Sequence, residues 1–95
     1  MASEMISIEK SVHLGDEFDE HLRQTLFMVL REMGAAFVGT TFGVAGSQEI
    51  ESIETTIGGQ SVKIEAETYV GLTVTTEETL AREIEKRVRA RLSAS

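Results

Sequence analysis

The sequence predicts an α+β domain: a four-stranded, mostly antiparallel sheet with two helices packed on one face, in the order strand, helix, three strands, helix (β-α-β-β-β-α). Two observations carry this prediction. One is a Gly58-Gly59 hairpin whose register is written in its side chains. The other is a pair of amphipathic helices with marked ends. The chain of 95 residues fits one domain, residues 1–95, burying roughly 60–65% of its unfolded surface, and so small a core gains from oligomerisation.

Residues 5–14 read as the first strand. Ile6, Ile8, Val12 and Leu14 fall on one side, and Lys10 interrupts that side as at an edge or a strand end. Residues 16–33 read as the first helix. Phe18, Leu22, Leu26, Val29, Leu30 and Met33 form its apolar stripe, Asp16 with Asp19 its N-cap, and Gly34 its C′ residue. Across 35–45, Val38, Phe42 and Val44 alternate with Phe37 and small residues as a second strand, and 43–48 is expected to be a loop.

Gly58-Gly59 is a two-residue turn of the primed type, which fixes the pairing on either side. Ile53 falls opposite Ile64, Thr55 opposite Val62, Glu51 opposite Ala66 and Ile57 beside Gln60; on the other face Glu54 meets Lys63 and Thr56 meets Ser61. A one-residue slip would destroy both the apolar face and the ion pair. The returning strand alternates strictly over 61–75. Extended, it would span about 50 Å, more than the roughly 30 Å of a compact domain of this size. It therefore bends near Gly71 or projects to pair with another chain. Thr75-Thr76-Glu77-Glu78 reads as a capping box opening a second helix, with Leu80, Ile84, Val88 and Leu92 as its stripe. This element order resembles, as topology alone, the double-stranded-RNA-binding fold and that of ribosome hibernation factors.

Composition narrows function by exclusion. The chain has no Cys, which removes disulfides, thiolate metal sites and a cysteine nucleophile together. The N-terminus lacks a basic segment followed by an apolar one, and no apolar run approaches bilayer-spanning length. These features predict a cytoplasmic protein with no membrane contact. The net charge is −7, and an acidic body disfavours binding to a phosphate backbone.

Candidate chemistry is sparse. Glu17 and His21, spaced as on one helical turn with Asp16, Asp19 and Glu20 nearby and His13 just upstream, are the metal-ligand candidates, and acidic first-turn residues already complement the helix dipole. Neither His13 nor His21 sits in a nucleophile motif, and Gly43–Ser47 lacks the lysine of a phosphate-binding loop. No cofactor is indicated. Arg82, Lys86, Arg89 and Arg91 make the last helix the candidate for RNA or ribosome contact. Glu78–Arg82, Glu83–Arg87 and Glu85–Arg89 instead read as (i, i+4) pairs that support the helix itself.

Phe27 stands off the main stripe of the first helix between Arg23 and Arg31, next to Met28. An aromatic ring so placed needs cover, and the overlong strand suggests unfinished burial independently. The sequence therefore predicts a non-enzymatic interaction or accessory module, forming a homodimer or higher homo-oligomer or binding a protein partner. Phe27, Met28, Tyr69 and Leu72 are its expected interface. A small-ligand or metal-dependent site at a subunit interface is the remaining alternative.

Overall fold

The computed structural model describes residues 8–94. It contains five strands and two helices: β1 (Glu9–Gly15), α1 (Glu20–Glu32), β2 (Ala36–Ala45), β3 (Gln48–Ile57), β4 (Gln60–Glu67), β5 (Gly71–Glu77) and α2 (Glu78–Ala94). The strands form one antiparallel sheet in the order β1-β5-β4-β3-β2. The α+β class and the two helices are as expected, but there are five strands, not four. The element order therefore also departs from that of the RNA-binding and hibernation folds.

The extra strand comes from the overlong segment. The chain reverses through Thr68-Tyr69-Val70, pairing Glu67 with Gly71 and Ala66 with Leu72. Val70 N–H donates to the Glu67 carbonyl at 3.0 Å, Thr68 is tied to Glu49, and Tyr69 takes φ 71°. Fifteen extended residues thus become two paired strands, and nothing projects from the sheet here.

The β3–β4 hairpin adopts the register read from sequence, with Ile53 opposite Ile64, Thr55 opposite Val62, Glu54 opposite Lys63 and Ile57 opposite Gln60. Gly58 and Gly59 both lie at positive φ, 57° and 83°, as a primed turn requires. The segment expected to be a loop at 43–48 is mostly strand. Only Gly46-Ser47 turn, and Ala45 already pairs with Gln48.

Helix α1 begins later than its acidic residues suggest. The Asp16 carboxylate accepts from Phe18 N–H at 2.7 Å in a turn, and Asp19 caps the helix by accepting from Leu22 N–H at 3.0 Å. Phe18 therefore lies outside the helix and is exposed. Of the expected first strand, Met5, Ile6 and Ser7 lie outside the described residues, and Ile8 is exposed.

One face of the sheet carries Val12, Leu14, Leu72, Val74, Val62, Ile64 and Ile57 into a single apolar cluster with Leu22, Leu26, Val29 and Leu30 of α1 and Ala81, Ile84 and Val88 of α2. Both helices cover this face. The smallest extent of the described residues is 20 Å, the depth of one sheet and one helix layer, so no described element covers the other face. The threonines at the core are satisfied locally: Thr55 Oγ1 donates to Val62 O at 3.0 Å and Thr76 Oγ1 to Ser61 O at 2.7 Å.

Strand β5 runs into α2 without a loop, so Thr75 and Thr76 are strand residues and not the expected cap. The cap is Glu77, whose carboxylate accepts from Thr79 N–H at 3.0 Å and Leu80 N–H at 3.2 Å. These bonds, that from Thr79 foremost, hold its pKa below the ordinary glutamate value. A depressed folded-state pKa contributes stability above the unfolded-state value of about 4.3, and this is lost as pH falls through the folded value. Glu77→Gln is therefore expected to lower the melting temperature at neutral pH. The gap from wild type should narrow as the pH of the melt falls through the lowered folded-state value.

Candidate interaction surface

The sheet order leaves β2 as an outer strand, and no described strand pairs with its free edge. The β2–β3 turn decides which backbone groups face outward. A two-residue turn makes Ala45 and Gln48 the first hydrogen-bonded pair, and bonded pairs recur at every second residue. Gly43 and Thr41 therefore bond to β3, while Val44, Phe42 and Thr40 direct their N–H and C=O groups away from it.

The same three side chains lie on the helix side of the sheet, since Thr40 stands opposite Ile53 and Phe42 opposite Glu51. The helices do not reach this far. Phe42 is 64% exposed, Val44 63% and Val38, at the bulge before Gly39, 71%. Closer to the helix layer, Phe37 rests on Phe27 of α1 with ring centroids 5.9 Å apart. Between the start of α1 and the β2–β3 hairpin lies an open groove of about 340 Å³ lined by Phe18, Phe42, Glu20, Glu49 and the Arg23–Glu51 ion pair, whose charged atoms are 3.2 Å apart.

Of the four expected interface residues, Phe27 and Met28 lie side by side on α1, whereas Tyr69 and Leu72 lie elsewhere. Phe27 is half-buried and forms the rim of the β2 surface. Met28 is exposed and lines an open groove along α1 together with Phe27, its sulfur against the Arg91 guanidinium. Tyr69 is 80% exposed at the β4–β5 turn, where its N–H donates to the Glu17 carboxylate at 3.2 Å. Leu72 is fully buried beneath the helices. It is a core residue and no part of the chain's surface, because its strand turns back into the sheet and does not project.

Three of the four basic residues considered for nucleic acid are held within the chain. Arg82 pairs with Glu78 at 2.8 Å, and Arg91 pairs with Glu32 across the two helices. Arg89 pairs with Glu85 and donates to the carbonyls of His13 and Leu14, each at 3.3 Å, which ties α2 to the end of β1. Lys86 makes no ion pair with a described residue. On the same helix, the hydrogen bond from Arg87 holds the Glu83 carboxyl below its ordinary pKa.

Glu17 and His21 are not on one helical turn. Glu17 precedes α1 and bonds to Tyr69, whereas His21 lies beside Thr25, Met28 and Arg91. Among the described residues, no group of three or more His, Asp or Glu side chains is placed to hold a metal ion, and no helix is long and apolar enough to cross a membrane.

Sequence reasoning recognised β2 as a strand but not Phe42, Val44 and Val38 as surface residues. The available signal was charge: residues 36–45 carry none, and an exposed strand without charge is unusual. Comparison with known proteins finds no matching family model, no matching curated protein and no matching solved structure.

Proposed function

We propose that this chain is a non-catalytic protein-interaction module that works by strand addition at the β2 edge, its partner supplying an extended segment. One observation carries the reading: a ten-residue, uncharged outer strand with Val38, Phe42 and Val44 exposed. Folds normally guard such edges with lysine, proline, a bulge or a covering element; β2 contains neither residue, and its bulge lies at Phe37–Gly39, before the stretch from Thr40 to Val44. An accessory role also fits the two shifted carboxyls among the described residues, Glu77 and Glu83, which are explained by a helix cap and an (i, i+4) pair.

Hydrogen exchange tests the reading at single amides. The Thr40, Phe42 and Val44 N–H groups should exchange about tenfold or more slowly when the edge is occupied. This is expected in the chain itself or on adding a lysine-flanked peptide of residues 36–45. Phe42→Pro removes an outward donor while leaving the β3 ladder intact, and should abolish the effect. Unprotected exchange in both conditions overturns the proposal.

A further inference from the structure

We infer that the segment received by the β2 edge is β2 of a second copy of this chain, added antiparallel about a twofold axis to give one continuous ten-stranded sheet. The inference rests on strand addition at this edge and names the occupant. The strand matches itself. Its large side chains, Phe37, Phe42 and Val44, lie on the helix side, whereas Gly39, Thr41 and Gly43 lie on the open side. A twofold perpendicular to the sheet keeps both sides in place, so large residues flank large ones and small flank small. Since Thr40, Phe42 and Val44 all face outward, antiparallel pairing joins their free N–H and C=O groups reciprocally. No like charges are brought opposite one another, because the strand has none.

The other outer strand does not offer the same fit. β1 has seven residues, among them Glu9 and Lys10, and charged side chains on an edge oppose strand addition. Pairing β2 with β1 of a neighbour would also propagate an open chain of molecules, whereas β2 with β2 closes as a dimer.

The bodies brought together both carry −7, so salt separates this occupant from a basic partner. Screening should tighten the self-association of two acidic chains and weaken the capture of a cationic segment. Sedimentation equilibrium of the full chain is expected to show a monomer–dimer equilibrium that tightens with added NaCl and weakens at least tenfold in Phe42→Lys. Ser47 is exposed at the β2–β3 turn, and the chain has no native cysteine, so Ser47→Cys takes a single spin label. The antiparallel arrangement places the two labels roughly 30–40 Å apart at 3.3 Å per residue, whereas parallel pairing would bring them to about 10 Å or less.

A monomer at all concentrations whose edge amides are nonetheless protected by the peptide overturns the second copy and leaves strand addition standing. Salt-weakened association, open-ended assembly or a short label distance each overturns the twofold pairing. A monomer with no protection in either condition overturns both.

Discussion

Gly71→Ala is expected to destabilise the fold by about 3–5 kcal/mol, the sum of positive-φ strain and forced repacking. For a domain of this size that lowers the melting temperature by about 15–30 °C. Gly71 sits at φ 115°, where L side chains rarely go. A Cβ there would lie 2.6 Å from the Gly15 carbonyl oxygen and press into the His13 imidazole. The imidazole can move, but the carbonyl cannot, because it belongs to the end of β1 where that strand is paired with β5. Adding His13→Ala should therefore recover only about 1 kcal/mol, since the backbone clash and the strain remain. Urea denaturation of the two variants measures both quantities. A Gly71→Ala midpoint close to wild type would show that the β4–β5 turn is not constrained as described.

That turn also shows where sequence reading stops. Ala66 and Leu72 face each other across it and point the same way, and they are an even number of residues apart. The apolar alternation of 61–75 therefore continues through the reversal without a break in phase. Tyr69 in the left-handed region gives no turn signal of its own, so Gly71 alone marked the place. By contrast, the β3–β4 register was legible because a two-residue turn permits one pairing, and that pairing made sense of both faces. The helices were legible from their stripes. Their first residues were not, because Asp16 and Asp19 both suit a cap, and Glu77, a strand residue, caps the next helix.

The candidate surface was half legible for a related reason. Phe27 was conspicuous as an aromatic ring off the stripe, and its neighbour proves to be Phe37. Periodicity marks Phe42 and Val44 as strand residues, but it does not say that their strand is outermost, since position in a sheet is set by pairing order. Glycines at 39, 43 and 46 made the strand look loose and 43–48 look like a loop. Within the strand they are the small residues of its open side, and Gly43 has Ile50 beside it across the ladder.

Leu72 and Phe42 are both apolar residues of alternating strands, and opposite outcomes are expected on changing them. Leu72 is fully buried in the shared core of sheet and helices. Truncating it to alanine should cost about 3 kcal/mol for lost transfer energy and the cavity left behind. Because the loss lies inside one chain, the shift in denaturant midpoint should be the same at every protein concentration. Phe42 is largely exposed, so Phe42→Lys should leave the unfolding of the isolated chain within about 0.5 kcal/mol of wild type. Its effect should appear only where chains associate, as a loss of the concentration-dependent part of stability. Denaturation curves for the two variants over a wide concentration range distinguish the cases. A Leu72→Ala shift from wild type that varies with concentration, or a Phe42→Lys that unfolds early even when dilute, would mean that the buried and exposed roles are the reverse of those the sheet order assigns. The comparison therefore tests the turn at 68–70 and the outer place of β2 together, since Leu72 is core only if the chain reverses there and Phe42 is surface only if no further strand of the same chain lies beyond it.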